Sequence, residues 1–287
     1  MVYEALLLGF GFLELGQALP PVLLPGFHQT IENNKQTKKP LPGITGIHGF
    51  CTATKEDLEN CHVASPQATY RERAIDLVKK SIDLAAGIEG KYVTLPLGLA
   101  PMKEHSAKLV SLVGEGKLYD KSYAALKLEM VSERLALGGG HLDSVRRSLD
   151  TLIPYAQEQG ILLGLESRGH YEQVPNEREM ETLLAEYETP TVGYWHSFGH
   201  IQMKENLGLL DHRQWLEKMA PRLVGCYIHD VLWPADDHAI PFHGSVDFDQ
   251  LIPLLPRGIP LVWEMDPRRK SDDIKQALTT WKEKYGD

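Results

Sequence analysis

The sequence predicts an α/β chain of the (β/α)8 TIM-barrel class, lacking its first strand, as a single domain over residues 1–287. Three observations predict it. Strand-length apolar runs alternate with amphipathic helical stretches from end to end, the pattern of βαβ units around a parallel sheet. The length of 287 residues is near the ~250 typical of such barrels. Polar residues able to do chemistry recur where the apolar runs stop, the ends at which these barrels keep their catalytic groups.

The chain opens on a helix-like stretch over 3–8, ahead of the first convincing strand at 12–15. Either residues 2–8 serve as a strand after all, or the barrel lacks its first strand; the second reading is preferred. The apolar run from Ala5 to Leu13 has no Lys or Arg before it and is broken by Gly9 and Gly11. It therefore reads as neither signal peptide nor membrane span, and a cytoplasmic protein is expected. Residues 20–43 carry Pro20-Pro21, Pro25-Gly26, Asn33-Asn34 and Pro40, and read as a long surface loop or lid.

Six further runs, at 44–48, 92–95, 161–166, 191–196, 223–229 and 261–264, are apolar on both parities, as strands buried on both faces should be. Residues 70–86 place Ala74, Leu77, Val78, Ile82 and Ala85 at helical spacing and stop at Gly87. Residues 142–159 do the same with Val145, Leu149, Leu152, Ile153 and Ala156 and stop at Gly160, with Pro154 expected to kink or break the helix. Asn176 with Glu179, and Asp211 with Gln214, read as capping boxes that open two more.

Composition narrows the function. With 30 Lys+Arg against 39 Asp+Glu and a net charge of -9, a duplex-binding surface would work against the overall field. A small-molecule enzyme is the better expectation, with neither nucleic acid nor membrane as partner. Cys51, Cys61 and Cys226 form no CxxC pair, so neither a disulfide framework nor a cysteine zinc site is suggested.

Glu166 ends one strand, the cluster His196-Ser197-Phe198-Gly199-His200 the next, His229-Asp230 the next and Glu264 the last. Their spacing of about one βα unit, ~30 residues, brings them to one end of the barrel. Alone, a strand-end Glu is more often a solvated or capping acid, and a His among aromatics a satisfied core residue. Together, two carboxylates and several imidazoles in register would cost several kcal/mol each if buried unpaired. A divalent metal would resolve that cost, and mixed carboxylate and imidazole ligands suit Zn, Mn, Fe or Co. His48 adds an imidazole to the same rim, and the loop Asp236-Asp237-His238 adds more charge or is simply a charged turn.

The ordered set Leu165-Glu166, Gly193-Tyr194-Trp195-His196-Ser197-Phe198-Gly199-His200, Tyr227-Ile228-His229-Asp230-Val231, Asp236-Asp237-His238 with Val246-Asp247-Phe248, and Trp263-Glu264 resembles the xylose isomerase-like TIM barrel superfamily. That group holds sugar isomerases and epimerases and the endonuclease IV type. The resemblance runs from Gly11 onward and implies several roles. Glu166, His229 and Glu264 match strand-end metal ligands, and the two glutamates match the acid/base pair beside a sugar carbonyl. His200 matches the substrate or second-metal histidine, and Asp236 and His238 match the endonuclease-like metal pair. The implied cofactor is a divalent metal, Zn, Mn, Co or Mg.

Three departures qualify it. Ser197 stands where the family has a ligating Asp, Pro96 where many members carry His, and Phe242 where a glycine is usual, close to where substrate would lie. A mononuclear site with water or His196 in the vacancy, a site shifted towards His200, Asp236 and His238, and a metal-free relative all stay open.

The expected function is metal-dependent isomerisation or epimerisation of a sugar or related hydroxy-carbonyl compound, with Glu166 and Glu264 moving the proton. His200, Arg168 and His48 would bind substrate. The alternatives are a non-catalytic barrel that binds a ligand or partner, and a phosphodiesterase of the endonuclease IV kind. An open barrel wall and the apolar N-terminal segment imply a homo-oligomer.

Overall fold

The computed structural model describes residues 7–16, 43–50 and 53–286. Seven strands build the wall: β1 Phe12–Leu15, β2 Gly43–His48, β3 Tyr92–Leu95, β4 Leu162–Glu166, β5 Val192–Ser197, β6 Leu223–Ile228 and β7 Leu261–Trp263. They form one sheet in chain order, and every neighbouring pair is parallel. All seven fall on the runs read from the sequence. Among the described residues nothing pairs β1 with β7, so the wall stays open along a seam where a first strand would lie. Leu7 and Leu8 are helical, in line with the helix-like reading; residues 3–6, the loop at 20–42 and Cys51 lie outside the described residues.

Alternation along each strand sends one parity to the helices and the other into the barrel. Outward, Ile47, Val93, Leu95, Leu163, Leu165 and Ile228 join the main core with Leu77, Val78, Leu149 and Leu152 of the helices Ala68–Gly87 and Gly140–Glu158. Inward, the aromatic layer Tyr92, Trp195 and Tyr227 fills the barrel floor, with ring centroids 4.5 Å and 5.2 Å apart. Glycine makes room for it. A Cβ at Gly164 would lie 2.9 Å from Trp195, and one at Gly225 would lie 2.2 Å from it.

The helix Gly140–Glu158 runs unbroken through Pro154, contrary to the expected break. Pro154 is exposed while Leu149, Leu152, Ile153 and Ala156 are buried, so the ring costs one hydrogen bond on the solvent face and packing holds the rest. Asn176 and Glu179 form the capping box as read, Asn176 Oδ1 accepting from Glu179 N at 3.0 Å and Glu179 Oε2 from Asn176 N at 2.9 Å; at Asp211 only half of it forms, Oδ1 accepting from Gln214 N at 2.8 Å while the Gln214 amide turns to Asp211 Oδ2. Two short antiparallel pairs, Gly98–Leu99 with Gln173–Val174 and Asp230–Leu232 with Asp236–Ala239, stand beyond the strand ends and shape the mouth. No described helix is long and apolar enough to cross a membrane.

Candidate active site

Because Trp195 faces into the barrel, Ser197 does too, and Tyr194 and His196 face out. His196 is thereby taken from the mouth. Its Nε2 meets His212 Nε2 at 2.9 Å and its Nδ1 meets the Tyr194 hydroxyl at 2.9 Å, which also accepts from Trp215 Nε1. It cannot fill a vacancy beside Ser197. His212 completes this buried network through Gln202, and burial pushes its imidazole down to about 3.

The mouth holds a chain of alternating charges. Arg168 Nη1 donates to both oxygens of Glu166 at 2.7 Å, and His48 Nε2 lies 3.5 Å from the same carboxylate. His200 stands between Glu166 and Asp237, at 3.4 Å and 3.5 Å, with Nδ1 donating to the Ser167 carbonyl at 3.1 Å. His238 stands between Asp237 at 3.0 Å and Glu264 at 3.5 Å. Burial opposes each of these charges, and the neighbours outweigh it. His48 rises to about 9 beside Glu166, His238 rises to about 10 between its carboxylates, and Glu264 falls to about 2 beside His238.

Of the two adjacent aspartates it is Asp237, not Asp236, that meets the histidines. Asp236 is exposed, whereas the sequence paired it with His238; the strand alternation that would put those two on one face is broken, because His238 has a φ of 54° and the ladder shifts register between Asp236 and Ala239. Phe242 is also reassigned: it packs on Phe248, Trp281 and Tyr285 in the helix layer rather than against a substrate position. Pro96 lines a pocket of about 210 Å³ with Phe50, His62 and the flank of Arg168.

The sequence reading missed Glu14. On β1 it points into the barrel, where Tyr227 donates to its Oε1 at 2.7 Å and Thr94 Oγ1 meets the same hydroxyl at 2.6 Å. Its inward parity in Phe12-Leu13-Glu14-Leu15 was the available signal. Burial pushes Glu14 up to about 7. Glu14, His48, Tyr227 and Glu264 line one cavity of about 1390 Å³ that reaches the seam.

His200, His229 and His238 each place a nitrogen within 4.8 Å of the others, the spacing a metal ion would need. The residues at the ligand positions implied by the resemblance do not fit one as they stand. Ser197 is neutral, and the Glu166 oxygens are taken by Arg168. At His229, Nδ1 accepts from His238 N at 3.0 Å, which leaves Nε2 carrying the proton towards Ser197 Oγ at 2.8 Å. Neither nitrogen has a free lone pair. The His229 and His238 rings are also nearly parallel, 9° apart at 4.4 Å, so their in-plane lone pairs do not converge.

The parallel barrel gathers its ionisable groups at the strand ends, the end at which (β/α)-barrels keep their sites. A family profile described as xylose isomerase-like TIM barrel matches residues 3–284, and the chain belongs to that family. A curated relative, the uncharacterized protein y4fM of Sinorhizobium fredii, is 23% identical over 181 residues; the match spans 63% of this chain and 48% of that one. Among solved structures, a D-tagatose 3-epimerase-like protein superposes with a TM-score of 0.67 at 15% identity, covering 96% of this chain and 88% of that one. The 3-keto-D-glucoside 4-epimerase YcjR of E. coli gives 0.67 at 14%, covering 98% and 92%. An IOLI protein with a bound zinc atom gives 0.63 at 14%, covering 99% and 93%. At these identities the likeness is one of fold.

Proposed function

We propose that this protein is an isomerase or epimerase of a sugar or related hydroxy-carbonyl compound, acting by proton transfer at the carbon beside the carbonyl. The observation that carries the reading is Glu264 Oε2, a buried carboxylate oxygen at the mouth that makes no hydrogen bond and has His238 Nε2 as its charged neighbour at 3.5 Å. Leaving such an oxygen unpaired costs free energy unless a ligand completes it. Held at about 2 by His238, Glu264 is ionised at neutral pH and able to take a proton. Arg168, His48, His200 and His238 supply positive charge where an enediolate oxygen would develop. The epimerases among the structural neighbours support the same chemistry.

Glu166 serves differently from the sequence expectation. Clamped by Arg168 and flanked by His48 and His200, it fixes the cations rather than moving a proton. The divalent metal implied by the resemblance enters no step, because Ser197 is neutral, both Glu166 oxygens accept from Arg168 and both His229 nitrogens are hydrogen-bonded. Exposed Leu7, Phe12 and Leu261 flank the seam and support a homo-oligomer, which light scattering on purified protein would reveal.

The test is turnover of a panel of ketoses, aldoses and keto-glycosides, comparing wild type with Glu264→Gln. The variant should lose ~10²-fold or more; equal turnover by both would remove Glu264 from the chemistry. A second reading, a barrel that binds a sugar without turning it over, is favoured by Ser197 and the clamped Glu166. Saturable binding with no product would establish it.

A further inference from the structure

We propose that Glu14 is the second proton-transfer carboxylate of this site, the partner of Glu264, in the role that the resemblance implied for Glu166. The inference rests on the isomerase or epimerase reading above. Among the described residues, Glu14 Oε2 and Glu264 Oε2 are the buried carboxylate oxygens that lack a hydrogen-bond partner. Both line the same cavity, as does His48, whose Nδ1 is likewise buried and unpartnered. Glu14 sits on β1 and Glu264 just past β7, the two strands that flank the seam. A ligand in the cavity therefore has Glu14 on one side and Glu264, with His238 3.5 Å from it, on the other. Glu166 offers no unpartnered oxygen, since both of its own accept from Arg168.

The surroundings of Glu14 favour a proton on it, as the acid of such a pair requires. Glu14 is faced by Tyr227, Tyr92, His48 and Glu264, with Lys91 and Lys282 further along the cavity wall. Tyr227 donates to Oε1, so a proton on Glu14 resides on Oε2, towards the cavity. Burial, only partly offset by His48, Tyr227 and Tyr92, raises Glu14 to about 7.

The step balances without a co-reactant. Ionised Glu264 takes the proton from the carbon beside the carbonyl, and the C–H electron pair becomes the C=C bond of an enediolate. Glu14 then gives its own proton to the opposite face of that carbon as the carbonyl reforms. Glu264 is left protonated and Glu14 ionised, and exchange with water restores both.

Two readouts test this. The first needs no substrate: the thermal stability of wild type minus that of Glu14→Gln, measured from pH 4.5 to 8. A carboxyl that titrates near 7 only in the folded state makes wild type progressively less stable than the variant over that span. A difference that does not change with pH overturns the proposal whatever the activity. The second uses a sugar that wild type epimerises, in deuterated water. Glu14→Gln should keep exchange at the reacting carbon yet lose inversion by ~10²-fold or more, with Glu14→Asp partly restoring it. Inversion by Glu14→Gln within tenfold of wild type overturns the proposal. Failure of wild type to turn over any hydroxy-carbonyl compound removes both the isomerase reading and this role.

Discussion

Arg168 donates from a single nitrogen, Nη1, to both carboxylate oxygens of Glu166 at 2.7 Å. The carboxylate is fully buried, so its charge is tolerable only while this partner stays. Arg168→Ala is expected to destabilise the fold by about 3–5 kcal/mol, the usual cost of an uncompensated buried charge. Adding Glu166→Gln should recover more than half of it. Denaturant unfolding of the two single variants and the double gives the coupling; additive losses would mean the pair does not hold the mouth together.

The same pair bears on metal affinity. Calorimetric titration of Mn or Co into wild type should give no stoichiometric micromolar binding that depends on Glu166 and Glu264. Replacing Ser197 by Asp and Arg168 by Ala together frees one carboxylate and adds another, and should create such binding. Tight wild-type binding that disappears in Glu264→Ala would contradict the account.

Stability should peak near neutral pH, for reasons of opposite sign on the two sides. His212 and His229 fall from 6.5 to about 3 in the fold. The unfolded chain therefore binds more protons between those values, and stability drops as pH falls from about 6.5 towards 3. His48 and His238 rise from 6.5 to about 9 and about 10. Their contribution is complete below 6.5 and is lost as pH climbs through the folded values. Each group contributes a slope of up to about 1.4 kcal/mol per pH unit. Thermal melts from pH 4 to 10 check the shape; stability still rising at pH 9 would contradict the charge chain.

Much of this site was legible in the sequence, and the failures share a cause. Glu166, His200, His229 and Glu264 were found because each lies where an apolar run ends, and His238 through the resemblance. The resemblance also put Asp236 rather than Asp237 beside His238, and His196 was allowed at the mouth because run ends give register only to within one residue. In a strand one residue reverses the face. Glu14 escaped because a single acid inside a short apolar run looks like the polar side of a half-exposed strand. Its role depends on Tyr227, 213 positions away. Pro154 failed as a breaker because packing on both sides of it outweighs one lost hydrogen bond.

The barrel floor makes its own prediction. A Cβ at Gly225 would lie 2.2 Å from Trp195, and that ring packs on Tyr227. Gly225→Ala should cost about 1–3 kcal/mol through overpacking and displace the Tyr227 hydroxyl from Glu14. Unfolding of the variant measures the cost, and wild-type stability would show that the floor is looser than its ring contacts imply.

The central claim is proton transfer next to a carbonyl, and its most direct measurement is proton NMR of ketoses and keto-glycosides incubated with wild-type protein in deuterated water. The account predicts loss of the signal at the carbon beside the carbonyl for at least one compound, dependent on Glu264. Full retention of that signal in every compound, under conditions where the same compounds bind, would contradict it.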